Sequence, residues 1–166
     1  GSLEQFQNQI QSFKTDVDRV KKARLTLIIN LVKVHWTSLV LDCKNKNCVA
    51  YYIDSQAKYL PQDYKQIIEA NLKLNTVIDF SNFFQQTDNY NCGLWALENA
   101  EDITRYVDEN RSPEWLDSRI KISRDTNYFK QKRNVISEKL HLDLERIARL
   151  SPKLPALETY EKSQKR

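Results

Sequence analysis

Two β-rich runs on either side of Lys44-Asn45-Lys46-Asn47 constrain this fold more than any other stretch. Leu25, Leu27, Ile29 and Leu31 alternate against Thr26, Ile28, Asn30 and Val32, a period of two that belongs to a strand. Both faces are fairly apolar, which predicts a central strand covered by helices. The chain passes through Val34-His35-Trp36 into a second run to Asp42, turns, and returns as Val49-Ala50-Tyr51-Tyr52-Ile53. With the turn centred near residues 45–46, paired positions sum to about 90 or 91. Asp54 then lies opposite residue 36 or 37, so His35 and Asp54 share the open end of the hairpin.

The rest of the chain reads mostly as helices. Leu3, Phe6, Ile10, Phe13, Val17 and Val20 form one face of a helix over 3–23, packed on the domain or docked on a partner. Pro61 opens a helix to about Leu72, with Tyr64, Ile67, Ile68 and Leu72 inward. Thr76–Phe80 is a short strand. Ala96, Ala100, Ile103 and Val107 stripe a buried helix after Cys92. Ser112 caps a further helix with Pro113 in its first turn. A long one follows over 126–150, using Phe129, Val135, Ile136, Leu140, Leu144, Ile147 and Ala148, until Pro152 and Pro155 stop it. This predicts one catalytic domain in three parts: an amphipathic helix at 1–24, a core at 25–111 and a helical extension at 112–166.

Composition narrows the functional classes. With 166 residues, 40% apolar and 29% charged, a globular domain with a real core is expected. No run is long and apolar enough to span a bilayer; Leu25–Val34 is interrupted by Thr26, Asn30 and Lys33. Gly1-Ser2 and the lack of methionine read as the scar of an excised domain. The charge of +4 is mild, and no basic run is interleaved with aromatics, which argues against a nucleic-acid partner. Cys43 and Cys48 flank the turn with no second ligand pair, so no metal or cofactor is expected. Three cysteines fit a reducing, intracellular compartment better than a disulfide framework.

Cys92 stands apart from the other two. A polar, turn-prone run, Gln85 to Asn91, ends at it, Gly93 follows, and a helix begins. Unpaired N–H groups and a partial positive charge at a helix N-terminus stabilise a thiolate. Gly93 has no Cβ, so a substrate backbone can approach. Taken alone, Cys92 is equally a cysteine packed under a helix. An imidazole backed by a carboxylate, as at His35 and Asp54, suits proton transfer. His141 lies in a charged helical segment and reads as surface.

The order His35-Trp36, Asp54, Gln86, Cys92-Gly93 resembles the ubiquitin-like-protein protease clan of cysteine peptidases. That clan includes the adenovirus protease, the SUMO and NEDD8 proteases and bacterial effector deubiquitinases. Its pattern is a His-Trp at a strand end, an Asp closing the next strand, and a Gln six residues before Cys-Gly. Here 92 − 86 = 6, and Tyr52-Ile53-Asp54-Ser55 is similar to the clan's Tyr-(apolar)-Asp-Ser. The resemblance implies an α+β fold: a small, mostly antiparallel sheet with the Cys92 helix packed across it and further helices outside. It implies Cys92 as nucleophile, His35 as general base and acid, Asp54 orienting His35, and Gln86 donating to the oxyanion. Trp36 would cover a channel for a Gly-Gly tail, bordered by Gly93. The implied function is a deubiquitinase of bacterial-effector type acting on ubiquitin. A SUMO- or NEDD8-specific protease, an acetyltransferase on the same scaffold, or an inactive binding module are the alternatives. The order of residues argues against a papain-like protease, where the cysteine comes first.

Overall fold

The computed structural model describes residues 2–31, 35–80, 83–88 and 90–150. Val32, Val34, Ser81, Asn89, Pro152 and Pro155, and the side chains of Ile147 and Ala148, lie outside the described residues. The chain forms two compact units, 1–123 and 124–166.

In the first unit the elements run α1 (Ser2–Arg19), β1 (Lys22–Leu31), β2 (His35–Lys44), β3 (Asn47–Ile53), α2 (Gln62–Asn71), β4 (Lys73–Asp79), α3 (Cys92–Asp108) and α4 (Pro113–Ile120). The strands form one sheet in the order β1-β2-β3-β4. β1–β2 and β2–β3 are antiparallel; β4 joins β3 in parallel after the α2 crossover. The fold is therefore the expected α+β arrangement with a small, mostly antiparallel sheet.

Alternation along β2 and β3 builds two cores. Leu39, Leu41, Ala50 and Tyr52 join Phe6, Ile10, Phe13, Val17, Tyr64 and Ile68 of α1 and α2. Val40, Tyr51 and Ile53, pointing the other way, join Ile103 of α3 and Leu116 and Ile120 of α4. Phe6 and Tyr64 rings meet at 4.7 Å, which joins α1 to α2. So the strands covered on both faces are β2 and β3. The first run, expected to be central, is instead the edge strand: Leu27, Ile29 and Leu31 are buried while Thr26 is exposed. An apolar residue at a half-buried edge looks the same in sequence as one at a central strand. α1 stops at Arg19, earlier than position 23, because Lys22 already pairs with Lys44.

The hairpin register is the one expected, with Ser38 opposite Ile53 and Cys43 opposite Cys48. Asn45 and Lys46 form its two-residue turn with φ of 48° and 67°, the left-handed pair that matches strand twist. Cys43 and Cys48 are joined by a disulfide, S–S 2.06 Å, where free thiols had been favoured. Directly opposed positions one pair from a tight turn place the two sulfurs together, which spacing alone could not show.

In the second unit, α5 (Thr126–Leu150) is the long helix the periodicity predicts. Phe129 is buried, whereas Val135, Ile136, Leu140 and Leu144 are exposed. Among the described residues, no helix is long and apolar enough to cross a membrane.

Lys46, at φ 67°, is poorly suited to its backbone. A left-handed L-residue costs about 1–2 kcal/mol, part of which glycine gives back through its freer unfolded chain. Lys46→Gly is expected to raise the unfolding free energy by about 0.5–1 kcal/mol, read by urea denaturation.

Candidate active site

The site is assembled where β2 begins, β3 ends and α3 begins. His35 is the first residue of β2 and Asp54 immediately follows β3. Antiparallel pairing brings these two ends together, and His35 Nε2 lies 2.8 Å from Asp54 Oδ1. Asp54 is wholly buried and His35 nearly so. The same Oδ1 accepts from Gln56 N at 2.7 Å. A buried carboxylate that accepts two hydrogen bonds holds the proton on Nε2 of the ring. His35 Nδ1 is buried and has no hydrogen-bond partner. Thr37 Oγ1 donates to Ile53 O at 2.9 Å and ties the two strand ends beside this pair.

Ser55, the next residue, holds the loop that leads to the cysteine. Its carbonyl accepts from both Gln85 N and Gln86 N at 3.0 Å, and its hydroxyl donates to Gln86 Oε1 at 2.8 Å. Gln86 is thereby fixed, buried, one residue from Asp54. Its Nε2 donates to Asp88 O at 2.5 Å and to Asp88 Oδ1 at 3.2 Å. Asp88 then gathers the end of the loop: Oδ1 accepts from Tyr90 N and Asn91 N, and Oδ2 from Asn91 Nδ2 at 2.7 Å. Burial works against the Asp88 charge, but the donors from Tyr90, Asn91 and Gln86 outweigh it and hold the carboxyl below the usual 3.8.

Asn91 precedes α3, yet its side chain makes no capping bond to the helix because it serves Asp88. Cys92, the first residue of α3, is buried and, among the described residues, is the cysteine outside a disulfide. A Cβ placed on Gly93 would meet Trp36 Cδ1 at 3.7 Å and Cγ at 3.8 Å. That is ordinary contact, so packing does not require a glycine here. It also shows that the first turn of α3 abuts the start of β2, with Cys92 and His35 the immediate neighbours of the contact. Trp36 is 39% exposed, one part against α3 and the rest in solvent. A cleft of about 800 Å3 between α1 and β1 runs up to Trp36, bordered by Gln5, Asn8, Gln9 and Asn30.

Gln85 and Gln86 are neighbours with different partners. Gln85 exchanges hydrogen bonds with Asn99 of α3, 2.9 and 2.8 Å, and donates to Ile120 O of α4 at 2.9 Å. It binds the loop to the helical layer, while Gln86 faces Ser55. His141 lies exposed beside Glu145 on α5, at 3.3 Å, as its charged surroundings suggested. Sequence reasoning missed Ser55, Asp88 and Asn99 as holders of the site. Asp88 did leave a signal: an Asp two and three residues before turn N–H groups is the pattern of an Asx turn.

These features of fold and site mark a thiol-peptidase scaffold. The chain matches the Ulp1 protease family, C-terminal catalytic domain, over residues 2–140, and it belongs to that family. No curated protein sequence matches it. Among solved structures it is similar to the ASFV pS273R protease, with 15% identity, TM-score 0.42, and 61% of this chain against 43% of that one. It is also similar to the C-terminal Ulp1 protease domain in complex with Smt3, the yeast ortholog of SUMO. There the identity is 19% and the TM-score 0.38, over 69% of this chain and 57% of that one. The chain thus matches 43–57% of the length of these two structures.

Two outcomes separate the loop's holders. Gln85→Ala leaves Asn99 and the Ile120 carbonyl unmet and is expected to cost about 1–3 kcal/mol in urea unfolding. Asp88→Asn keeps an acceptor but loses the charge. The Asp88 charge contributes fully above 3.8 and is lost as pH falls through its depressed folded value. Wild type should therefore exceed Asp88→Asn at neutral pH, by under about 1 kcal/mol because solvent screens this half-buried group. The difference should vanish in strong acid.

Proposed function

We propose that this chain is a cysteine peptidase that cleaves after the C-terminal Gly-Gly of a ubiquitin-like protein, with ubiquitin as the substrate. The observation that carries the reading is the buried His35–Asp54 hydrogen bond at the foot of the helix that begins with Cys92. Membership of the Ulp1 protease family supports it.

The geometry supports the following roles. With Nε2 committed to Asp54, Nδ1 of His35 is the nitrogen left to take the Cys92 thiol proton. The thiolate attacks the carbonyl carbon of the terminal glycine, and the carbonyl oxygen becomes an oxyanion. The Cys92 backbone N–H and the Gln86 side-chain amide receive that charge. Gln86 Nε2 must exchange its longer contact, 3.2 Å to the Asp88 carboxylate, for the oxyanion. His35 returns the proton to the leaving amine as the C–N bond breaks. Water, deprotonated by the same imidazole, then hydrolyses the thioester. Asp54 holds the ring in place and stabilises the imidazolium.

The exposed aromatics Trp36, Phe84 and Tyr90 flank the loop and suit a protein partner rather than a small molecule. Gly93 meets the Trp36 ring with no side chain of its own, and a channel for a Gly-Gly tail beside this contact is part of the proposal. The preference for ubiquitin over SUMO or NEDD8, and an origin as a bacterial effector acting inside a host cell, rest on the Lys-, Asn- and Ile-rich composition. Reduction of Cys43–Cys48 in such a compartment would act at the turn end of the hairpin, away from His35 and Asp54.

Electrophilic C-terminal probes of ubiquitin, SUMO and NEDD8 test the reading. Wild type is expected to form an adduct with the ubiquitin probe, and Cys92→Ala none. Adducts with the SUMO or NEDD8 probe alone would keep the chemistry and overturn the substrate. Silence toward all three would overturn both. Gln86→Ala is expected to lower kcat by about 100-fold or more while still folding, as for loss of one oxyanion donor.

A further inference from the structure

Besides His35 Nδ1, two buried polar atoms beside the site have no direct hydrogen-bond partner: Tyr52 Oη and Asp54 Oδ2. The residues are two apart, so the alternation of β3, carried one position past its end, puts both side chains on the same face. Both residues are wholly buried. Burial pushes the Tyr52 phenol far above its ordinary 10; the Thr37 side chain works against this and the nearby Asp54 and Asp79 carboxylates add to it, so the hydroxyl keeps its proton. The Asp54 charge is therefore felt at the phenol. A donor and an acceptor buried side by side and both unmet would each carry a desolvation cost, and one bridge removes both.

We propose that Tyr52 is a positioning residue for the His35–Asp54 pair: its hydroxyl donates to Asp54 Oδ2, directly or through one buried water. The proposal rests on the catalytic assignment above. With Oδ1 on His35 Nε2 and Gln56 N, and Oδ2 on Tyr52, the carboxylate cannot rotate without breaking a bond. The competing acceptor is Thr37 Oγ1, which donates to Ile53 O and retains lone pairs. The titratable groups that act on the phenol are Asp54 and, from β4, Asp79. Asp79 is the register partner of Tyr52, and its Oδ2 already accepts from Leu60 N at 3.1 Å.

Tyr52→Phe removes the hydroxyl and keeps the ring. Loss of this bond frees the Asp54 carboxylate to turn and weakens its support of the protonated His35 ring that accompanies the Cys92 thiolate. The acid limb of kcat/KM, and of Cys92 alkylation by iodoacetamide, should then move to higher pH by about one unit. The value of kcat should fall about tenfold with KM unchanged. In an Asp54→Asn background the same change should have no further effect on alkylation. An unmoved limb with unchanged kcat overturns the proposal, and so does an equal loss in the Asp54→Asn background, which would assign the hydroxyl to Thr37 or to packing. If Asp54→Asn alone leaves the rate intact, the catalytic assignment itself falls and the proposal with it. Should Tyr52→Phe fail to fold, an atomic-resolution crystal structure of the wild type decides. A hydroxyl joined to Asp54 Oδ2, directly or by one water, upholds the proposal; one bonded to Thr37 instead overturns it.

Discussion

Both halves of the candidate site hang on the end of β3, where Asp54 and Ser55 follow one another. Asp54 takes the imidazole of His35; Ser55 takes two backbone N–H groups and the side chain of Gln86. A carboxylate with no exposed surface is tolerable only where donors surround it. Here those donors are the His35 ring and the Gln56 N–H, and each is delivered by backbone geometry. The sheet therefore precedes the site in the physical order of causes. Were β2 and β3 to slip by one residue, His35 and Asp54 would leave on the wrong faces.

The sheet resists that slip because it is covered twice. Tyr52 and Leu39 face the α1–α2 layer while Tyr51 and Val40 face α3 and α4, so a one-residue shift would exchange two complete cores. The Asn45–Lys46 turn and the Cys43–Cys48 bond fix the register from the other end. The helix that begins at Cys92 belongs to the second of these layers. Its packing on the sheet is what lets the contact between Gly93 and Trp36 set where Cys92 stands.

The loop between β4 and α3 reaches the same end by side-chain bonding. Gln85 points to the helices and Gln86 to Ser55, so consecutive glutamines bind the loop to two different parts of the first unit. Asp88 closes it by collecting Tyr90, Asn91 and Gln86 around one carboxylate. A loop with this many internal bonds presents Cys92 in a defined place, as its proposed role requires. In the proposed mechanism, the same bonds require Gln86 to exchange one acceptor for another.

Much of this was legible in the sequence because it is local. The period of two on each side of Lys44–Asn47 fixed the hairpin and hence the approach of Asp54 to His35; the six-residue spacing singled out Gln86; the polar run into Cys92-Gly93 marked a helix start. What the sequence could not carry were choices made between distant segments. That β1 is an edge and β2 and β3 are central depends on which strands find helices on both faces. That Cys43 and Cys48 bond depends on a directly opposed register, and spacing permits either state. Asn99 looks ordinary in the chain, and Tyr52 and Ser55 stand there as parts of a motif without partners, since a buried hydroxyl or amide gains its meaning from the atom it faces. Local periodicity and turn chemistry decided the elements and the candidate residues; tertiary packing decided which polar atoms were left to meet one another, because desolvation forces each buried group to a partner that only the folded chain supplies.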